Sequence, residues 1–451
     1  MPRRTVSLAL VALLAATAAQ ATTYNHVTLI DGTGAAARQD MAIVVDGERI
    51  TAITPAVKSG TAKAGSAESA NAESSGDIVD MRGAFALPGL INTHVHLATS
   101  PDIAFAQATL RRDVYSGVTA VRDMAGDTRE LGFLAREARI GHVPGPDVYY
   151  ASLMAGPEFF HDPRTVDSTQ GGFTPGETPW MRAVTPATDL ALAVAEAKGT
   201  GATAIKIYAD LPAPLVAAIT QEAHRQHLLV WAHAAVFPAS PREVTDAGVD
   251  VMSHACMLGY QASATMPPAY HHRAAVEAAR LGDPSIDALL ADMKAKGTIL
   301  DATLTVYELL DHMKDANPPP YCTLAMAQTL TAKAHRAGVD VSAGTDSDTP
   351  WKERRSALQG ELALLVRGAG FTPMEAIRAA TQVASRTIGR DKEMGTLESG
   401  KLANIVFAAK DPLADIANLE AVTLTVKRGK AFAAKDYPPI TAAEAQDSGD
   451  D

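Results

Sequence analysis

The stretch Phe85-Ala-Leu-Pro-Gly-Leu-Ile-Asn-Thr-His94-Val-His96-Leu97 is an apolar run that ends in two imidazoles spaced two residues apart. Alternate residues of a strand share a face, so an extended backbone here points both rings the same way. Two neutral nitrogens converging at a strand end begin a transition-metal site, and zinc accepts nitrogen and oxygen ligands readily. An isolated His-x-His is as readily structural, so its meaning depends on what lies around it.

Downstream, apolar strand-like runs alternate with amphipathic helix-like segments. Counting 85–96, the runs are 118–123, 148–154, 204–208, 229–233, 249–254, 298–304 and 339–346. Segments with helical periodicity, such as 106–115, 131–140, 189–198, 214–225, 286–296 and 324–337, separate most of them. Eight β-then-α units predict an α/β fold, a (β/α)8 TIM barrel over 88–389. Upstream, 26–30, 42–47 and 49–53 alternate like short antiparallel strands divided by Asp31-Gly32 and Asp46-Gly47. After a helical stretch at 356–389, strand signals return at 403–408 and 422–426. Each set is too small for a stable sheet alone. Together, 22–87 and 390–438 predict a small β-sandwich built from both chain ends, with the barrel inserted between its halves. Residues 57–77 are poor in large apolar groups and read as an exposed loop, and 439–451 as a frayed acidic tail.

Barrel active sites are built at the C-terminal ends of the strands. His94 and His96 close the first predicted strand, Lys206 lies on the fourth, and His233, His254 and Asp346 end the fifth, sixth and eighth. Each has an ordinary alternative. Lys206 could cap a strand, His254 could be a hydrogen-bonded core histidine, and Asp346 could cap the next helix. Six such residues at strand ends of one barrel point instead to a metal centre.

Through Leu-Pro-Gly-Leu-Ile-Asn-Thr-His94-Val-His96, His233, His254, Gly344-Thr345-Asp346 and Gly400-Lys401-Leu402-Ala403-Asn404, the chain resembles the amidohydrolase superfamily. It is most similar to the branch of imidazolonepropionase-like hydrolases and Xaa-Pro or Xaa-Arg/Lys dipeptidases, over residues ~24–430. Ile205-Lys206-Ile207-Tyr208 matches the position where that branch carries a carboxylated lysine bridging two metals. The resemblance implies two divalent ions, zinc by preference, with His94, His96 and Asp346 on the more buried one and His233 and His254 on the more exposed. Carboxylation of Lys206 would turn a cation into a bridging anion. A metal-bridging hydroxide would attack the amide, and Asp346 would carry its proton to the departing nitrogen. The chain departs from the branch in three places. Ser152 to Phe160 replaces a Gly-Gly-His segment, Ser253-His254-Ala255 replaces Glu-His-Gly, and Ala403-Asn404 replaces Ala-Asp. No ligand is lost, but the substrate pocket differs.

The expected function is a metal-dependent hydrolase of C–N bonds acting on a small amide, a dipeptide or an N-acyl amino acid. Two other classes compete with it. A mononuclear deaminase or cyclic-amide hydrolase would need no modified Lys206, and a non-catalytic binding protein would have lost ligands. For substrate contacts, Tyr208 shares a strand face with Lys206 and could hydrogen-bond an oxyanion, or be a plain rim aromatic. Arg164, Arg182, Arg354 and Arg355 fall in predicted loops and are candidate partners for a substrate carboxylate. His161 is the reserve proton carrier, and the Gly- and Pro-rich loop 155–187 is a candidate specificity element.

At the N-terminus, Arg3-Arg4, the apolar run 6–18 and Ala19-Gln20-Ala21 form the pattern of a secretory signal peptide over 1–21, so a periplasmic or secreted protein is expected. The residues flanking the arginine pair fit a twin-arginine signal poorly. The run is too short for a membrane span, so no anchor is expected after processing. With a formal net charge of −11 and no basic cluster, the chain repels phosphate backbones and excludes nucleic acid. The expected partners are a small-molecule substrate and, in a homo-oligomer, further copies of the chain. The two cysteines, Cys256 and Cys322, could form one bridge, but buried free thiols are the preferred expectation.

Overall fold

The structure, a computed structural model, describes residues 21–57, 77–313, 320–347 and 349–445. The predicted signal peptide up to Gln20, most of the predicted 57–77 loop and the end of the acidic tail lie outside the described residues. Strands β1 (Thr22–Leu29), β2 (Arg38–Asp46), β3 (Arg49–Pro55), β4 (Asp77–Asp80) and β5 (Phe85–Pro88) come first. The barrel strands follow, as β6 (Leu90–Val95), β7 (Val118–Asp123) and β8 (Asp147–Ala155), with a short β9 (Met181–Ala183) beside β8. Next come β10 (Ala204–Ile207), β11 (Leu229–His233), β12 (Val251–Ser253), β13 (Ile299–Asp301) and β14 (Val341–Ser342). The chain ends with β15 (Ile405–Ala408), β16 (Val422–Lys427) and β17 (Lys430–Ala433).

Eight parallel strands run in the order β6-β7-β8-β10-β11-β12-β13-β14, and Thr93 N–H donates to the Ala343 carbonyl at 3.1 Å across the seam. Every residue of β7 and β8 is buried, as a sheet covered on both faces requires. Ile91, Ala120, Ala151, Ala204, Trp231, Val251 and Ile299 pack together inside the barrel. The interior is therefore a filled core, and any site must lie above it, at the strand C-termini.

The other strands form one mixed sheet, β17-β16-β15-β5-β1-β2-β3, that interleaves both chain ends. Its far edges meet. Arg428, in the β16–β17 turn, donates to Glu48 in the β2–β3 turn at 2.9 Å. The sheet therefore closes over its own core of Tyr24, Ile43, Phe407 and Val426 as the expected sandwich.

Several local expectations are corrected. The run 85–96 is two strands in two domains, divided at Gly89, where a Cβ would run into the Thr119 side chain. The helical stretch 356–389 is three helices, Leu358–Ala369, Pro373–Ala379 and Gln382–Thr387, the first ended by left-handed Gly370. The seventh run stops at Asp301, and Thr303, at φ 53°, turns the chain into an unexpected helix, Leu304–His312. The loop 155–187 is not bare, since it carries a helical turn (Pro157–His161), a short helix (Pro163–Asp167) and β9. Cys256 and Cys322 are not free thiols. The 3-10 segment Ala255–Ala262 packs against helix Leu324–Ala337, which brings the two Cα atoms to 6.3 Å, and they form a disulfide. Among the described residues no helix is long and apolar enough to cross a membrane.

Candidate metal centre and active site

β6 ends in the imidazole pair, whose ring centroids lie 5.4 Å apart. His94 Nε2 lies 3.3 Å and His96 Nε2 3.2 Å from Asp346 Oδ1, while His254 Nδ1 lies 3.6 Å from Asp346 Oδ2. One ligand atom each of His94, His254 and Asp346 falls within a 4.8 Å group. The His233 ring stands 4.7 Å from His254 and 4.0 Å from Tyr208. His254 and Asp346 reach these places from left-handed backbone, at φ 75° and φ 46°, a conformation that costs energy and is tolerated where the surroundings enforce it. They are enforced here: Asp346 N–H donates to the His94 carbonyl and His254 N–H to the Asp301 carbonyl, both at 3.0 Å. At Gly344 a Cβ would press on the His94 backbone, so only glycine lets this loop close over β6.

Burial lowers the pKa of His94, holds His233 well below the usual histidine value and takes His254 down to about 3. All three are neutral imidazoles, the ligating form. Burial opposes ionisation of Asp346, yet His94, His96 and His254 hold its carboxyl well below the usual range. Lys206 is wholly buried, and burial followed by the charge of Arg122 brings its amine down to about 7. Its Nζ has no hydrogen-bond partner, and neither does Nδ1 of His233. A buried amine and a buried imidazole nitrogen without hydrogen-bond partners, beside an ionised carboxylate, form a donor set whose chemistry fits a metal centre.

Sequence reading missed the group beneath. Asp301 is fully buried and accepts from His94 Nδ1 at 2.7 Å, Arg122 Nη2 at 2.8 Å, Thr93 Oγ1 at 2.8 Å and Ser253 Oγ at 2.9 Å. Arg122 lies 4.7 Å over the Trp231 ring. Despite burial, Arg122 and His94 hold the Asp301 carboxyl well below its usual range. Asp301 thus fixes His94 with Nδ1 as donor and turns Nε2 toward Asp346. The available signal was one carboxylate in the apolar run Thr298-Ile-Leu-Asp301-Ala-Thr-Leu304 and one arginine in Val118-Thr-Ala-Val-Arg122-Asp123.

A cavity of about 550 Å³ opens over this floor. Tyr208 lies on its wall, between Phe159 (4.4 Å) and His233, and burial and Tyr270 keep its hydroxyl protonated. Of the four candidate arginines only Arg164 lines the cavity, and Asp162 already fills its fork, at 3.0 and 2.7 Å. Arg182 pairs with Glu196, Arg355 pairs with Glu420 at 2.6 Å, and Arg354 lies over Tyr437, all outside this cavity. His161 is exposed and bonds back to the Glu158 carbonyl, so it is no reserve proton carrier. The missed cation is Arg273. It lies over the Tyr270 and Tyr321 rings at 4.2 and 4.7 Å, donates only to the Tyr270 carbonyl, and has no carboxylate partner among the described residues.

The amidohydrolase family model matches residues 85–432, and the chain belongs to that family. A segment of 150 residues is 33% identical to ochratoxinase of Aspergillus niger, over 31% of this chain and 30% of that protein, so under a third of the curated relative's length is matched. An Xaa-Pro dipeptidase with methionine in its active site has a TM-score of 0.73 at 20% identity, over 92% of this chain and 100% of that one. A putative prolidase from Bifidobacterium longum has a TM-score of 0.68 at 26% identity, over 95% and 98%.

Proposed function

We propose that this protein is an exported, binuclear metal-dependent amidohydrolase that cleaves a small amide carrying a free carboxylate, a dipeptide or an N-acyl amino acid. The observation that carries the proposal is the buried, unpartnered amine of Lys206 beside the cluster of His94, His233, His254 and Asp346. As a neutral amine it can add to carbon dioxide, forming one N–C bond and releasing one proton, and so become a bidentate anion. His94, His96 and Asp346 would then hold one ion, His233 and His254 the other, and Lys206 both. Two divalent ions, zinc by preference, would supply an acidified water and a polarised carbonyl. Asp346 accepts the proton of the attacking water and delivers it to the departing nitrogen. Tyr208 donates a hydrogen bond to the developing oxyanion, and Arg273 holds the substrate carboxylate.

One structural neighbour is by name an Xaa-Pro dipeptidase, which supports that substrate class. The N-terminal Arg3-Arg4 with its apolar run, and the Cys256–Cys322 disulfide, support an oxidising, exported location. A mononuclear enzyme is the second reading, because His94, His254 and Asp346 alone could hold one ion. Metal-loaded protein screened against dipeptides, N-acyl amino acids and their methyl esters tests the substrate class. Turnover should require the free carboxylate, and equal turnover of acids and esters would overturn it.

A further inference from the structure

The fully buried carboxyl of Glu361 has no part in the chemistry proposed above. It stands in the first turn of helix Leu358–Ala369 and reaches the start of another helix, Leu304–His312. Its Oε1 accepts from Leu304 N–H at 3.0 Å, and its Oε2 accepts from Thr305 N–H and the Thr305 hydroxyl, both at 2.7 Å. The first N–H groups of a helix are normally satisfied by the side chain of its own N-cap residue. Here that residue is Thr303, a type suited to the task, yet its hydroxyl makes no capping bond. Its backbone is left-handed, at φ 53° and ψ 49°. For a β-branched residue that is strain of the kind that gathers at functional sites.

The hydroxyl released from capping faces the metal centre. Thr303 Oγ1 lies 3.0 Å from His254 Nδ1, whereas Asp346 Oδ2, at 3.6 Å from the same nitrogen, is beyond hydrogen-bond length. The two backbones are tied together as well. His254 N–H donates to the Asp301 carbonyl and Ala255 N–H to the Ala302 carbonyl, at 3.0 and 3.2 Å. A ligating imidazole is neutral and carries one N–H and one lone pair. Were Thr303 the donor, Nε2 would hold the proton and His254 would have no lone pair left for an ion. We propose that Thr303 is a positioning residue for His254, accepting from Nδ1–H so that Nε2 is the ligating nitrogen, and that Glu361 holds Thr303 in place by taking over its capping role. The inference rests on the proposed metal centre. Asp301 and Thr303, two positions apart, then divide the ligands between them, the first fixing His94 and the second His254.

The test reads the His254 tautomer and the zinc affinity of the full chain. With isotope-labelled histidine in the metal-free protein, NMR should find His254 in the Nδ1–H form. Thr303→Val keeps the β-branched shape but removes the hydroxyl, and should lose that preference. Titrated with zinc alone, Thr303→Val should weaken one binding event by about 10- to 100-fold, and Thr303→Ser should restore it. Glu361→Gln, whose amide nitrogen cannot accept a hydrogen bond, should weaken the same event. His254 in the Nε2–H form in wild-type protein that binds zinc would overturn the proposal. So would wild-type zinc affinity in Thr303→Val or in Glu361→Gln, or no rescue by Thr303→Ser. Wild-type protein that takes up no zinc is a separate failure, which would overturn the metal centre and this proposal with it.

Discussion

His94, Lys206 and His233 stand on hydrogen-bonded barrel strands and are almost wholly buried. Across the same cavity, Arg164, Arg273 and Tyr321 stand on short helical turns and loops and remain in contact with solvent. The floor is held by strand register and by the buried Asp301–Arg122 pair, so its geometry follows from the fold. The rim is held by local contacts such as Arg273 on two tyrosine rings. On the proposed function, bond cleavage belongs to the floor and substrate choice to the rim, and mutations should separate the two.

The largest effect should come from Asp301→Ala. It leaves Arg122 charged, buried and unpaired and frees His94 to change tautomer, so unfolding in urea should show a loss of about 3–5 kcal/mol, with metal affinity falling as well. A loss under ~1 kcal/mol, the scale of an exposed pair, would mean that the floor is not rigidly built. Next is Asp346→Asn, which keeps a carbonyl ligand but cannot take a proton. Steady-state kinetics should show kcat reduced by at least ~10²-fold, with little change in KM. Smaller still, Arg273→Ala should raise KM by roughly 10-fold for the loss of one charge-assisted contact and leave kcat near wild type. Arg182→Ala and His161→Ala serve as controls and should alter neither constant. If Arg273→Ala lowered kcat instead, the division between floor and rim would fail.

The same contrast explains what the sequence discloses. His94, His96, Lys206, His233, His254 and Asp346 are legible because strand ends follow from period and run length, and each polar residue there interrupts an apolar run. Asp301 is equally a strand-end residue, but extending the seventh run to Leu304 hid it mid-strand. The left-handed turn at Thr303 has no local signal in Ala302-Thr303-Leu304. The split at Gly89 depends on Thr119, thirty positions away in the next strand but packed against it. The rim is hardest to read. Arg164, Arg182, Arg354, Arg355 and Arg273 all occur in polar loop sequence, and only tertiary packing decides which face the cavity. The disulfide was open for the same reason, since its two cysteines lie 66 residues apart.

The central claim is that Lys206 serves a second metal ion. Elemental analysis of purified protein, wild type beside Lys206→Ala, tests it most directly. The account predicts two divalent ions per chain in the wild type and at most one in a folded variant. One ion per chain in both would contradict it and leave Lys206 as a buried strand residue with no part in the metal site.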